Sequence, residues 1–166
     1  MGVYVVDSNF FIQAHRLHYP LDVAFSFWNK VKQLANDGKI ISIDKVKDEI
    51  YLYEGALKHW CQANLPADFF KDTNQVLNAY YQVAGWAASK SGFYLPNAIN
   101  EFLDADEADA WLVAYALTNP TDRILVTYET SEPNRKSKIK IPDVCIAQNV
   151  QYTNTINMLR DLGETF

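Results

Sequence analysis

The sequence predicts an α/β protein, a three-layer α/β/α sandwich around a central, mainly parallel sheet. Short β-favouring runs at 3–6, 39–43, 124–127 and 144–146 are separated by helical stretches at 21–37, 45–60, 73–90 and 105–118, with a further helix near 153–162. Strands separated by helices are joined by crossovers and pair in parallel. The chain of 166 residues, 49% hydrophobic and 21% charged, is the size of one globular domain with a substantial core. We read 1–166 as that domain, with a helical elaboration at about 53–99.

The first run, Val3-Tyr4-Val5-Val6, stops at Asp7-Ser8-Asn9 before Phe10-Phe11-Ile12 resumes. A carboxylate at the carboxyl end of a buried parallel strand points into the crevice where open α/β sheets place ligands. The local alternative is an N-cap, with Asp7, Ser8 or Asn9 closing the first turn of a following helix. In the first long helix Val23, Phe27, Val31 and Leu34 follow helical spacing and are expected in the core, with Trp28 beside them. Ile40-Ile41-Ser42-Ile43 reads as the second strand, followed by a helix that Asp44 caps. Val46, Glu49, Ile50 and Tyr53 share one helical face, so Glu49 turns inward while Lys45, Lys47 and Asp48 belong to wet faces. Its alternative is a solvated edge glutamate paired with a lysine.

Between Tyr53 and Ile99, the aromatic residues Trp60, Phe69-Phe70, Tyr80-Tyr81 and Trp86 suggest an added helical layer or a lid. Val76, Tyr80, Val83, Ala84 and Ala87 read as core, and Ser91–Pro96 as a loop. Acids then crowd the start of the helix at 105–118. Asp104 and Glu107 have the spacing of a capping box. Asp109 falls on the apolar face with Leu112, Val113 and Ala116, and Asp106 lies one turn earlier, able to reach the same pocket. Ile124-Leu125-Val126-Thr127 is a further strand, with the Thr127 hydroxyl and the Glu129 carboxylate at its end; an ordinary loop glutamate is the alternative for Glu129. Four carboxylates brought together raise one another's pKa unless a cation joins them, so the cluster predicts a divalent metal.

Formal charge is −5, unhelpful for phosphate contacts unless bound metal offsets the acids. Arg135-Lys136-Ser137-Lys138-Ile139-Lys140 is the compensating basic segment. It either grips backbone phosphates through Arg135, Lys136 and Lys138, or forms a solvated loop and edge strand guarded by lysines. Cys61 and Cys145 lack metal-ligand spacing and read as small core residues. His15, His18 and His59 form no metal motif and read as surface or helix residues. No apolar run approaches ~18 residues and no leader-like amino terminus is seen, so neither a membrane span nor a signal peptide is expected, and a cytoplasmic location follows. No acid follows Asp7 at i+2, which disfavours an aspartyl-phosphate enzyme.

These segments resemble the PIN-domain nucleases, from Val3 to about Val144. The family's first-strand Asp in a hydrophobic-Asp-Ser/Thr-Asn/Ser frame is similar to Val6-Asp7-Ser8-Asn9, and its helical Glu to Val46-Lys47-Asp48-Glu49-Ile50. Its Asp opening an Ala-rich helix is similar to Ala108-Asp109-Ala110-Trp111, and its strand ending in Thr before an acid to Val126-Thr127-Tyr128-Glu129. Most members carry Asp near the fourth position, where this chain has Glu129, and the 53–99 segment is longer than in the smallest members.

The resemblance implies a metal-dependent endoribonuclease, the toxin of a prokaryotic toxin–antitoxin pair with a helix-turn-helix antitoxin as partner and a homodimer as one assembly. It implies one or two Mg²⁺ or Mn²⁺ ions held by Asp7, Glu49, Asp109, Asp106 and Glu129, with Asn9 and Thr127 orienting ligands or the scissile phosphate. Two other classes fit the same residues: a PIN-fold protein that binds a partner without chemistry, and a metal-dependent phosphatase.

Overall fold

A computed structural model describes residues 2–166. Five parallel strands form its centre: β1 (Val3–Val6), β2 (Ile40–Ile43), β3 (Phe70–Lys71), β4 (Arg123–Val126) and β5 (Gln151–Thr153). Their order is β3-β2-β1-β4-β5. The chain winds outward from β1 through β2 to β3, then crosses to the other side of β1 for β4 and β5. That reversal leaves a crevice beyond the carboxyl ends of β1 and β4, where open α/β sheets bind ligands. Helices complete the α/β/α sandwich: α1 (Ser8–Gln13), α2 (Phe25–Asn36), α3 (Asp44–Tyr51), α4 (Ala56–Asn64), α5 (Leu77–Ser89), α6 (Pro96–Phe102), α7 (Asp109–Thr118), α8 (Ile141–Gln148) and α9 (Thr155–Leu162). None of them is long and apolar enough to cross a membrane.

The centre of the sheet is dry because its strands are covered on both faces. Val5, Val6, Ile40, Ile43, Leu125 and Val126 are buried. Ser42, the one polar residue of β2, is satisfied internally: its hydroxyl donates to the Val6 carbonyl at 2.6 Å, which removes the cost of an unpaired buried group. One layer is built on aromatic contacts among α1, α2, α4 and the β3 region. The Phe11 ring meets Phe10 edge-on at 5.1 Å, Phe69 at 6.0 Å and Trp28 at 6.5 Å, and Trp28 meets Trp60 at 4.8 Å. In the other layer α5 and α8 both pack on α7, with Tyr80 stacked on Trp111 at 4.0 Å.

Several boundaries differ from the sequence-based expectation. The stretch 45–60 is two helices: α3 ends at Tyr51, and α4 opens after Gly55, which takes φ +154, a conformation that side chains disfavour. Tyr53, expected on the inward face, lies beyond the end of α3 and is 71% exposed. Val23 precedes α2 and is likewise exposed, whereas Phe27, Trp28, Val31 and Leu34 are buried as expected.

Val144-Cys145-Ile146 is not a strand but part of α8, which opens on Pro142 and closes on Asn149 in the left-handed conformation. The fifth strand is instead Gln151–Thr153, an edge whose exposed Gln151 and Tyr152 lack the apolar signature of a central strand. Helix α7 starts at Asp109 rather than 105. Asp104 does not cap it; the Asp104 carboxylate accepts from the Asp106 amide at 2.9 Å and folds the preceding segment into a turn. The 53–99 segment adds α4, α5 and part of α6, but also β3, which extends the sheet.

Phe11 has no exposed surface and sits where the aromatic contacts of α1, α2 and Phe69, just before β3, converge. Phe11→Ala is expected to lower the unfolding free energy by about 3–5 kcal/mol, and Phe11→Leu by less. Urea denaturation measures both, and equal losses would contradict a packing role.

Candidate active site

Asp7 lies between the end of β1 and the start of α1. Its amide donates to the Val126 carbonyl of β4 at 3.2 Å, which fixes the residue at the crevice between the two strands. Its Oδ1 accepts the Phe10 amide at 2.9 Å, making it the N-cap of α1. The two sequence readings of Asp7 therefore coexist, cap and crevice carboxylate in one side chain. It is 4% exposed. Burial pushes its carboxyl up to about 7; the Thr127 hydroxyl and the Phe10 and Asn9 amides oppose that rise, and the Glu129 charge adds to it.

Glu49 reaches the same place from α3. Burial again raises its carboxyl to about 7, reinforced by the Glu107 and Asp7 charges and opposed by the Ala108 amide and the Ser8 hydroxyl. Its Oε1 is buried with no hydrogen-bond partner. No lysine pairs with it among the described residues: Lys45 Nζ lies 5.1 Å from the Trp111 ring centre and Lys47 Nζ 5.5 Å from that of Tyr51. Asp109, the first residue of α7, feels all three other acids. Burial raises it well above the carboxylate range, with Glu129, Asp7 and Glu49 adding to the rise and Lys138 opposing it.

Glu129 lies at the margin. Its Oε2 accepts the Ile141 amide at 3.3 Å, and its own amide donates to Thr127 Oγ1 at 3.0 Å. Thr127 is buried, accepts the Glu129 amide, and its hydroxyl counters the rise in the Asp7 pKa. Asn9 is half-buried and contributes its backbone amide to Asp7.

Asp106 stands apart from this group: it is exposed and lies in the turn ahead of α7. Glu107 is the acid that acts on Glu49 in its stead. The expectation for Asp106 counted helical turns from position 105, and with the helix starting at Asp109 that phase no longer applies. Ser8 was weighed only as a cap, yet its hydroxyl serves Glu49.

The basic segment divides into different roles. Arg135 pairs with Glu132 at 3.0 Å, and Lys140 meets the same carboxylate at 3.3 Å. Lys136 Nζ lies 5.6 Å from the Phe93 ring centre. Lys138 alone faces the acids, beside Glu107 and Asp109 in a shallow depression. The segment is a loop, not an edge strand.

Among the described residues, no three His, Cys, Asp or Glu side chains are drawn into a ready-made metal cage. The donor set nevertheless suits a hard, hydrated cation. Mg²⁺ takes one or two carboxylates and keeps several waters, so a closed cage is not its signature. The oxygen-only donors Asp7, Glu49 and Asp109 exclude a thiolate-seeking ion. The partnerless Glu49 oxygen and the mutual repulsion are what a cation would relieve.

Without metal, the folded Asp7 and Glu49 keep protons that the unfolded chain has released above about pH 4. Stability should therefore fall as pH rises from about 4 through about 7. Asn caps helices as well as Asp does. Asp7→Asn is thus expected to raise the thermal midpoint of the metal-free protein more at about pH 8 than at about pH 4.5, and equal shifts at both would contradict it.

No curated protein and no solved structure matches the chain significantly. Residues 4–166 match the family model described as Domain of unknown function (DUF4411). With nearly the whole sequence matched, the chain belongs to the DUF4411 family.

Proposed function

We propose that the protein is a Mg²⁺- or Mn²⁺-dependent nuclease that hydrolyses RNA phosphodiester bonds. The observation that carries this reading is the convergence of Asp7, Glu49 and Asp109, all with raised pKa, at the crevice between β1 and β4, with a buried Glu49 oxygen left unpaired. Neutral or like-charged acids in such a place destabilise the fold, a cost commonly found where a site is built for binding or catalysis. RNA as substrate, the toxin role and an antitoxin partner follow from the resemblance to PIN-domain nucleases.

Asp7, Glu49 and Asp109 would hold the ion, with Glu129 at its margin. When bound, such an ion activates water for attack and offsets the charge that builds on the phosphate. The protein's share is positioning. The Phe10 amide orients Asp7, and the Thr127 and Ser8 hydroxyls with the Asn9 and Ala108 amides favour the ionised forms of Asp7 and Glu49. The amide of Ile141 holds one Glu129 oxygen. Lys138, beside Asp109 and Glu107, supplies positive charge at the rim where a phosphate would approach an acidic site.

Calorimetric Mn²⁺ titration of wild type and Asp7→Asn, with cleavage of labelled RNA and DNA alongside, tests the reading. Wild type should bind Mn²⁺ and cut RNA, and Asp7→Asn should lose binding and roughly a hundredfold or more in rate. A wild-type protein that binds no Mn²⁺ would overturn the proposal and favour a partner-binding fold. Hydrolysis of small phosphate esters without RNA cleavage would favour a phosphatase.

A further inference from the structure

A pocket of about 460 Å³ opens beside the acids, across the carboxyl ends of β4 and β5. It shares Thr127 and Glu129 with the candidate active site, but its other walls come from elsewhere: His18, at the end of the π-helical turn that follows α1, Tyr128, and Asn157 and Arg160 of α9. His18 and Tyr128 stack with ring centres 5.3 Å apart and planes 17° from parallel. None of these groups is explained by the fold's core, and His18 is exposed.

Three features of the pocket select an anion. Helix α9 opens into it: the Asn154 side chain accepts the Asn157 amide at 2.8 Å, which leaves the first-turn amides of Thr155 and Ile156 facing outward along the helix axis. Thr155 is 3% exposed and lines the pocket, and its buried hydroxyl has no hydrogen-bond partner, although it lies near the Tyr128 phenol. Arg160 bonds only the neutral Asn157 oxygen, at 3.0 Å, and forms no ion pair among the described residues. A cation, a helix amino terminus and an unsatisfied hydroxyl at one opening are the donor set of a phosphate site, and the flat His18–Tyr128 pair beside them offers a stacking surface.

We propose that this pocket is a nucleotide subsite of the proposed nuclease, holding the phosphate next to the scissile one, with the neighbouring base laid against His18. It rests on the nuclease reading for the identity of the strand, but the pocket's chemistry stands on its own residues. The strand would run from the Lys138 rim past Asp109 and Glu129 to Arg160, so at least two successive phosphates meet positive charge on either side of the acids. The substrate class is single-stranded RNA, because a duplex would keep its bases stacked away from His18.

The test is anisotropy of a short fluorescent single-stranded RNA, with Ca²⁺ in place of Mn²⁺ to limit cleavage, on wild type, Arg160→Gln and His18→Ala. Arg160→Gln should bind roughly tenfold more weakly and lose a little under one unit of slope in log affinity against log salt, as expected for one phosphate contact. His18→Ala should weaken binding with the salt slope unchanged, because stacking releases no counterions. Both variants should keep wild-type Mn²⁺ binding and circular dichroism.

Unchanged affinity in Arg160→Gln, or no RNA binding by wild type, would overturn the subsite. Failure of the nuclease reading looks different: RNA binding that depends on Arg160 in a protein that neither binds Mn²⁺ nor cuts RNA would leave a nucleotide-binding pocket without catalysis.

Discussion

In a parallel sheet every strand delivers its carboxyl end to the same rim, and in the order β3-β2-β1-β4-β5 the winding reverses beside β1. The helices that follow β1 and β4 therefore leave in different directions and cannot close the gap between those strands. Asp7 is locked into that gap by its amide bond to Val126, and Thr127 and Glu129 arrive on the other bank. Glu49 and Asp109 reach it because α3 and α7 begin near the same rim. The acidic centre depends on this one topological fact.

The same constraint creates an electrostatic problem. Carboxylates placed where strands end are shielded from water by the helices above them, so the neutral form is favoured, and each acid's charge makes ionisation of its neighbours harder. The Thr127 and Ser8 hydroxyls, nearby backbone amides and the Lys138 charge oppose the resulting rise in pKa. Asp109 is the acid on which Glu129, Asp7 and Glu49 all act, each of them opposing its ionisation.

Rigidity around the centre comes from groups with no chemistry of their own. Asp7 is held because it caps α1, and α1 is held by Phe10 and Phe11 in an aromatic cluster that reaches Trp28, Trp60 and Phe69. Tyr80 stacked on Trp111 braces α7 from the other layer. Lys45, which a helical wheel assigns to solvent, lies over the Trp111 ring and so does not neutralise Glu49.

The sequence by itself determined what is written within a few residues. An apolar strand interrupted by Asp7-Ser8-Asn9, a helical face that turns Glu49 inward, and Asp109 in phase with Leu112 and Val113 all follow from local periodicity, and alternation of strands with helices sufficed for the α/β class. Tertiary structure decided what depends on where elements begin and what they meet. The start of α7 exchanged Asp106 for Glu107, and Val144-Cys145-Ile146, three apolar residues with no period to tell strand from helix, lie in α8. Gln151–Thr153 became a strand through pairing with β4 rather than through composition. Lys138 was singled out from its basic neighbours only by Glu132 and Phe93, which occupy the others. The pocket of His18, Tyr128, Thr155 and Arg160 joins segments more than a hundred residues apart, and no local pattern encodes a meeting that only sheet order brings about.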